Sequence, residues 1–159
     1  MRRTLHKWHR HRRSFVRILR VCLLTALVSF VSSCGISSVE VARVPSPDGK
    51  FDAVVVEQDG GATTSYWYDL RVVERGKKFT SGPNVAALYG AIRNESAYGI
   101  NVSWAGPRAV TFEYWKSRDT TLRVSKVNLS GQEIAINLKS GVLDPSAPPG
   151  GMAYNLAKR

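Results

Sequence analysis

The chain has 159 residues and a formal net charge of +11, from 23 Lys and Arg against 12 Asp and Glu. Eight of those cations and all three histidines fall within the first 20 residues, so the chain from Cys34 onward carries only +3. That part has no histidine and no second thiol. It therefore excludes Ser-His-Asp and Cys-His nucleophiles, His-ligated zinc and an internal disulfide, and gives nucleic-acid binding no basic domain to work through.

The first element is a leader. Arg2, Arg3, Lys7, Arg10, Arg12, Arg13, Arg17 and Arg20 stand without an acid among them, ahead of the apolar run from Val21 to Val31. A basic start, a short apolar stretch and small residues before a cut are the parts of an export signal. The run is too short for a spanning helix, which needs about 20 apolar residues. It ends in Val31-Ser32-Ser33-Cys34, which resembles the lipobox of bacterial lipoproteins: an aliphatic residue, two small ones, then cysteine. The resemblance implies a diacylglycerol thioether on the Cys34 sulfur, cleavage before it and acylation of the new amino terminus. Two or more acyl chains hold stably, because each buried methylene contributes about 0.8 kcal/mol. Arg12-Arg13-Ser14-Phe15-Val16 also resembles the twin-arginine export motif. Gly35, next to the cysteine, is not the aspartate that resembles an inner-membrane retention signal, so the outer membrane is expected in an organism with two.

Beyond the leader the pattern is β. Runs rich in Val, Ile, Tyr, Phe, Trp and Thr occupy Val39–Val44, Phe51–Glu57, Tyr66–Glu74, Ile100–Trp104, Val110–Lys116, Leu122–Leu129 and Ile134–Leu138. Alternation assigns faces: Tyr66, Tyr68, Leu70 and Val72 oppose Trp67, Asp69, Arg71 and Val73. Likewise Val110, Phe112 and Tyr114 oppose Thr111, Glu113 and Trp115, and Ile134, Ile136 and Leu138 oppose Ala135, Asn137 and Lys139. One face of each strand is core and the other mostly wet. Asn84–Ala91 reads as a short helical turn or an edge strand. Glycine-bearing turns at Pro47–Lys50, Glu74–Lys77, Ala105–Arg108 and Leu129–Gln132 suit tight reversals between neighbours. The expected class is all-β: an antiparallel meander of about seven strands, forming a sandwich or a partly closed barrel behind an N-terminal signal helix. The division is a signal peptide at 1–33, a tether at 34–38, a β domain at 39–143 and a flexible Pro- and Gly-containing tail at 144–159.

Ser46–Phe51, reading SPDGKF ahead of a Val-rich strand, resembles the repeat of bacterial β-propellers related to the periplasmic Tol-system protein. Propellers need four or more such blades, and one motif makes a hairpin. SPDGKF, GATTSYWYDLRVV, INVSW and AVTFEY together are similar to uncharacterised small β-rich bacterial lipoproteins, a resemblance that implies fold and location but no reaction.

Candidate functional residues concentrate in the loop from Asp59 to Ser65 and the strand after it. Thr63, Thr64 and Ser65 offer hydroxyls beside Tyr66, Trp67 and Tyr68, a combination suited to a sugar or an extended peptide; packing of Trp67 and Tyr68 into the core is the competing reading. Trp115, beside Lys116 and Arg118, is expected to be exposed, and Trp104 to be core. Arg75, Lys77 and Lys78 sit at a hairpin tip, as a solvated turn or a contact for anionic envelope polymer. The expectation is a lipid-anchored envelope module that binds or scaffolds without turnover. It needs no cofactor or metal, and its partners are the membrane, through acyl chains on Cys34, and an envelope protein or glycan. The alternative is a hydrolase of cell-wall glycan using two carboxylates roughly 5–10 Å apart.

Overall fold

A computed structural model describes residues 35–150. The expected leader, Cys34 and the last nine residues lie outside the described residues. No described helix is long and apolar enough to cross a membrane.

The described chain is all-β, with eleven strands: β1 (Ser37–Pro45), β2 (Phe51–Asp59), β3 (Trp67–Glu74), β4 (Asn84–Tyr89), β5 (Ile92–Asn94), β6 (Ala97–Tyr98), β7 (Asn101–Trp104), β8 (Ala109–Glu113), β9 (Asp119–Leu122), β10 (Lys126–Leu129) and β11 (Gln132–Lys139). A single 3₁₀ turn, Phe79–Ser81, interrupts them. One sheet has the order β1-β2-β3-β4-β9, a second the order β10-β11-β8-β7, and β5-β6 form a small hairpin. Neither large sheet closes into a barrel.

The meander holds from β1 to β4, where every pairing is antiparallel between neighbours. It fails beyond β8. The run expected as one strand over Leu122–Leu129 is two, because β9 completes the first sheet beside β4 while β10 joins the second beside β11. In consequence β11 lies parallel to β8, Ile136 opposite Val110 and Leu138 opposite Phe112. The segment Asn84–Ala91 is neither a helical turn nor an edge: β4 lies between β3 and β9. Its pairing with both neighbours satisfies a ladder of backbone groups that a lone helical turn would leave to solvent.

Both sheets feed one core. Val41, Phe51, Val55, Tyr68, Leu70, Val72 and Leu88 from the first pack with Val110, Phe112, Ile134 and Ile136 from the second. The expected inward positions are correct for β3, β8 and β11. The expectation of a wet outer face fails at Val73 of β3, which is 1% exposed and packs with the fully buried Val54 and Val56 of β2 and with Phe79. The β10–β11 turn shows why glycine sits at 131. Ser130 (φ 49°) and Gly131 (φ 74°) both take positive φ, the requirement of a two-residue turn whose twist matches its strands.

Two other boundaries shift. β1 begins at Ser37, inside the expected tether. Asp144–Gly150, expected to be loose, is held to the domain: the Asn94 amide donates to the Asp144 and Ala147 carbonyls at 2.8 and 3.0 Å, and Gly150 forms a bridge with Ala97.

Candidate functional site

Strand register sorts the surface into two ends. In the first sheet Ser37 opposes Asp59, Gln58 opposes Trp67, Trp67 opposes Tyr89 and Tyr89 opposes Asp119, so these residues share one end. The second sheet is aligned with it by contacts across the core. Tyr98 packs edge-on against Tyr66, with ring centroids 5.3 Å apart, and the Tyr114 hydroxyl lies 3.1 Å from that of Thr120. At the other end the Trp104 indole donates to the Val44 carbonyl at 3.0 Å, and the Ser130 hydroxyl bonds the Glu74 carboxylate.

The first end holds the residues expected to bind. Asp59 turns the chain by accepting the Gly61 N–H at 2.8 Å, and the Thr64 N–H and hydroxyl both donate to the Gly61 carbonyl at 3.1 Å. A Cβ at Gly60 would stand 2.9 Å from the Thr64 hydroxyl and 3.3 Å from the Trp67 ring, so a side chain there would displace the exposed Thr64. Thr63 and Thr64 are exposed, whereas the Ser65 N–H donates to the Tyr89 hydroxyl at 3.1 Å. That bond leads the effects that lower the Tyr89 pKa. Tyr66 and Trp67 are half-buried on opposite faces of the chain. Burial first, then the carboxylates of Asp59 and Glu57, raises the Tyr66 pKa and keeps its phenol neutral.

Tyr68 does not belong to this surface. It is fully buried and donates to the Glu57 carboxylate at 2.9 Å, so its alternation position makes it core. Trp115 is half-buried, with the Lys116 ammonium 4.1 Å from its ring centroid. Trp104 is half-buried against the core, close to the expectation. Tyr89 and Tyr98 complete the aromatic end and were not among the sequence candidates; β4 and β6 bring them in by long-range pairing that no local pattern announces.

The opposite end is basic and differently built. Arg43 grips Glu40 through two bonds of 2.6 and 2.7 Å and reaches Asp52 at 2.8 Å. Arg75 meets the other Asp52 oxygen at 2.8 Å, and the Gly76 N–H donates to this carboxylate at 2.9 Å. Burial of Asp52, whose side chain is 1% exposed, opposes ionisation; the Gly76 N–H and the two guanidiniums outweigh it and hold its pKa below the ordinary value. Beside this network lies a groove of about 560 Å³ lined by Glu40, Arg43, Gly76, Lys77, Lys78, Phe79 and Thr80.

Among the described residues no group of three or more acids, histidines or cysteines is arranged to hold a metal ion. Glu57 and Asp59 stand two positions apart on one face of β2, which places their Cα atoms about 6.6 Å apart. No protein-family model, no curated protein and no solved structure matches the chain.

Proposed function

We propose that this chain is an exported lipoprotein, acylated at Cys34, whose β domain acts at the cell-envelope membrane by binding or scaffolding and not by turnover. The observation that carries the reading is the lipobox-like Val31-Ser32-Ser33-Cys34 closing an apolar run, three residues ahead of the first strand. In an organism with two membranes the anchor sits in the outer one and the domain faces the periplasm. The binding surface is the aromatic end: exposed Thr63 and Thr64, the Tyr66–Tyr98 pair, Trp67 and Trp115. Its hydroxyls direct hydrogen bonds while its rings supply contact area.

The test compares the wild type with Cys34→Ala. Wild-type protein fractionates with membranes and its intact mass matches the chain from Cys34 plus acyl groups; the variant retains its leader and gains no acyl mass. Full-length, unmodified and soluble wild-type protein refutes the reading. A second reading is a carboxylate-dependent hydrolase of cell-wall glycan, for which Asp59, at the aromatic end beside the exposed loop, is the acid to test because Glu57 is buried against Tyr68. Release of reducing sugar from purified envelope glycan, abolished by Asp59→Asn, would establish it; no release would remove it.

A further inference from the structure

We propose that the aromatic end is seated against the phospholipid headgroups of the membrane that holds the anchor. This deepens the reading above and rests on acylation of Cys34. Three residue steps separate Cys34 from Ser37, and a fully extended chain covers at most about 11 Å in three steps. Ser37 pairs with Asp59, so the loop from Asp59 to Ser65 emerges beside the point where the chain comes up from the lipid. The headgroup layer on each side of a bilayer is itself roughly 5–8 Å deep. A domain tethered this tightly has that end at the membrane surface.

The chemistry of that end fits such a seat. Ile36 is 61% exposed and Val39 46%, large apolar side chains left uncovered where the tether begins. Two of the three tryptophans beyond the leader, Trp67 and Trp115, lie at this end, with Tyr66, Tyr89 and Tyr98; Trp104 lies at the other. Tryptophan and tyrosine favour the boundary where one side of the ring is apolar and the other wet. Charge does not drive the contact. Asp59 and Asp119 offset Lys116 and Arg118, so the surface suits zwitterionic headgroups, and the exposed Thr63 offers its hydroxyl to their phosphates. The groove lined by Arg43, Lys77 and Lys78 then faces away from the bilayer, because the nine residues of β2 separate the two ends by about 26 Å.

The experiment uses the mature, acylated protein reconstituted into phosphatidylcholine vesicles whose acyl chains carry bromine near the headgroup. Thr63→Cys and Lys77→Cys each supply one free thiol for an environment-sensitive fluorophore, since the Cys34 sulfur is occupied by its thioether. Both positions are exposed, so neither change disturbs the core. A probe at 63 lying within about 5–10 Å of the headgroup boundary is quenched at least about threefold more than one at 77. Equal quenching, or stronger quenching at 77, overturns the inference while acyl mass on the same sample leaves the lipoprotein reading intact. Absence of acyl mass overturns both.

Discussion

Asp52 gives the sharpest test of how the far end is held together. Its side chain is 1% exposed and its oxygens accept from Arg43, Arg75 and Gly76 at 2.8, 2.8 and 2.9 Å. Asp52→Asn keeps the shape but replaces one acceptor oxygen by a donor that faces these cations. Hydrogen bonds to charged groups contribute about 1.5–3 kcal/mol each, and breaking a sealed ion pair costs about 3–5 kcal/mol. The pair is not sealed: Arg43 keeps both bonds to Glu40, and the Arg75 side chain is 52% exposed and regains water. The loss should therefore be about 2–3 kcal/mol at neutral pH, which lowers the melting temperature by roughly 10 °C in a domain of this size. The pKa of Asp52 is lower in the folded than in the unfolded chain, so its contribution is complete above the unfolded value near 3.9. It fades as pH falls through the folded value. Urea unfolding followed by tryptophan fluorescence, in steps from pH 7 to pH 3, should show the gap between wild type and variant narrowing at the acid end. A gap under about 0.5 kcal/mol at pH 7, or one undiminished at the lowest pH, refutes the reasoning.

Gly82→Ala should destabilise by about 2–3 kcal/mol in the same unfolding assay, because its Cβ would stand 2.2 Å from the Val72 carbonyl oxygen and 2.7 Å from a Val73 methyl, forcing a backbone shift. Gly131→Ala meets no atom within 4 Å and should cost only about 1 kcal/mol for its positive φ, so the pair separates overpacking from backbone strain. Asn94→Ala removes both bonds to the Asp144 and Ala147 carbonyls together with the acceptor for the Ser96 N–H. It should cost about 1–3 kcal/mol, with hydrogen exchange at 144–150 accelerating ahead of the rest of the domain.

The strands with strict alternation were legible because side-chain direction in a strand is local: Val110, Phe112, Ile134 and Ile136 had to share a face, and they do. Asn84–Tyr89 was ambiguous, because Val85, Ala86 and Leu88 fit a helical stripe as well as a strand, and only pairing of Ala87 with Asp69 and Thr121 decides it. Turn chemistry speaks for neighbours in the chain, which is why the parallel partnership of β8 with β11 left no trace in it. The site was half visible. Thr63, Thr64 and Trp67 follow one another, whereas Tyr89 and Tyr98 arrive by tertiary contact. Tyr68 was placed among the binders by its neighbours in sequence, although its own alternation put it inside. Asp52, Arg43 and Arg75 are spread over 33 positions, and no spacing rule unites them.

The crossing between β9 and β10 sets how this domain comes apart. After β8 the chain leaves the second sheet, completes the first, and three residues later returns to supply the two strands that complete the second. The Arg123 and Val124 N–H groups both donate to the Val85 carbonyl, while the Ser125 carbonyl accepts from Ile136, so the stitch is bonded on each side. Peeling β10 and β11 away strips β8 of its inner neighbour and drags on the edge of the other layer. Unfolding should therefore be all-or-none through both layers, leaving the Asp59–Ser65 loop, exposed from Gly61 to Thr64, as the place where opening is cheap.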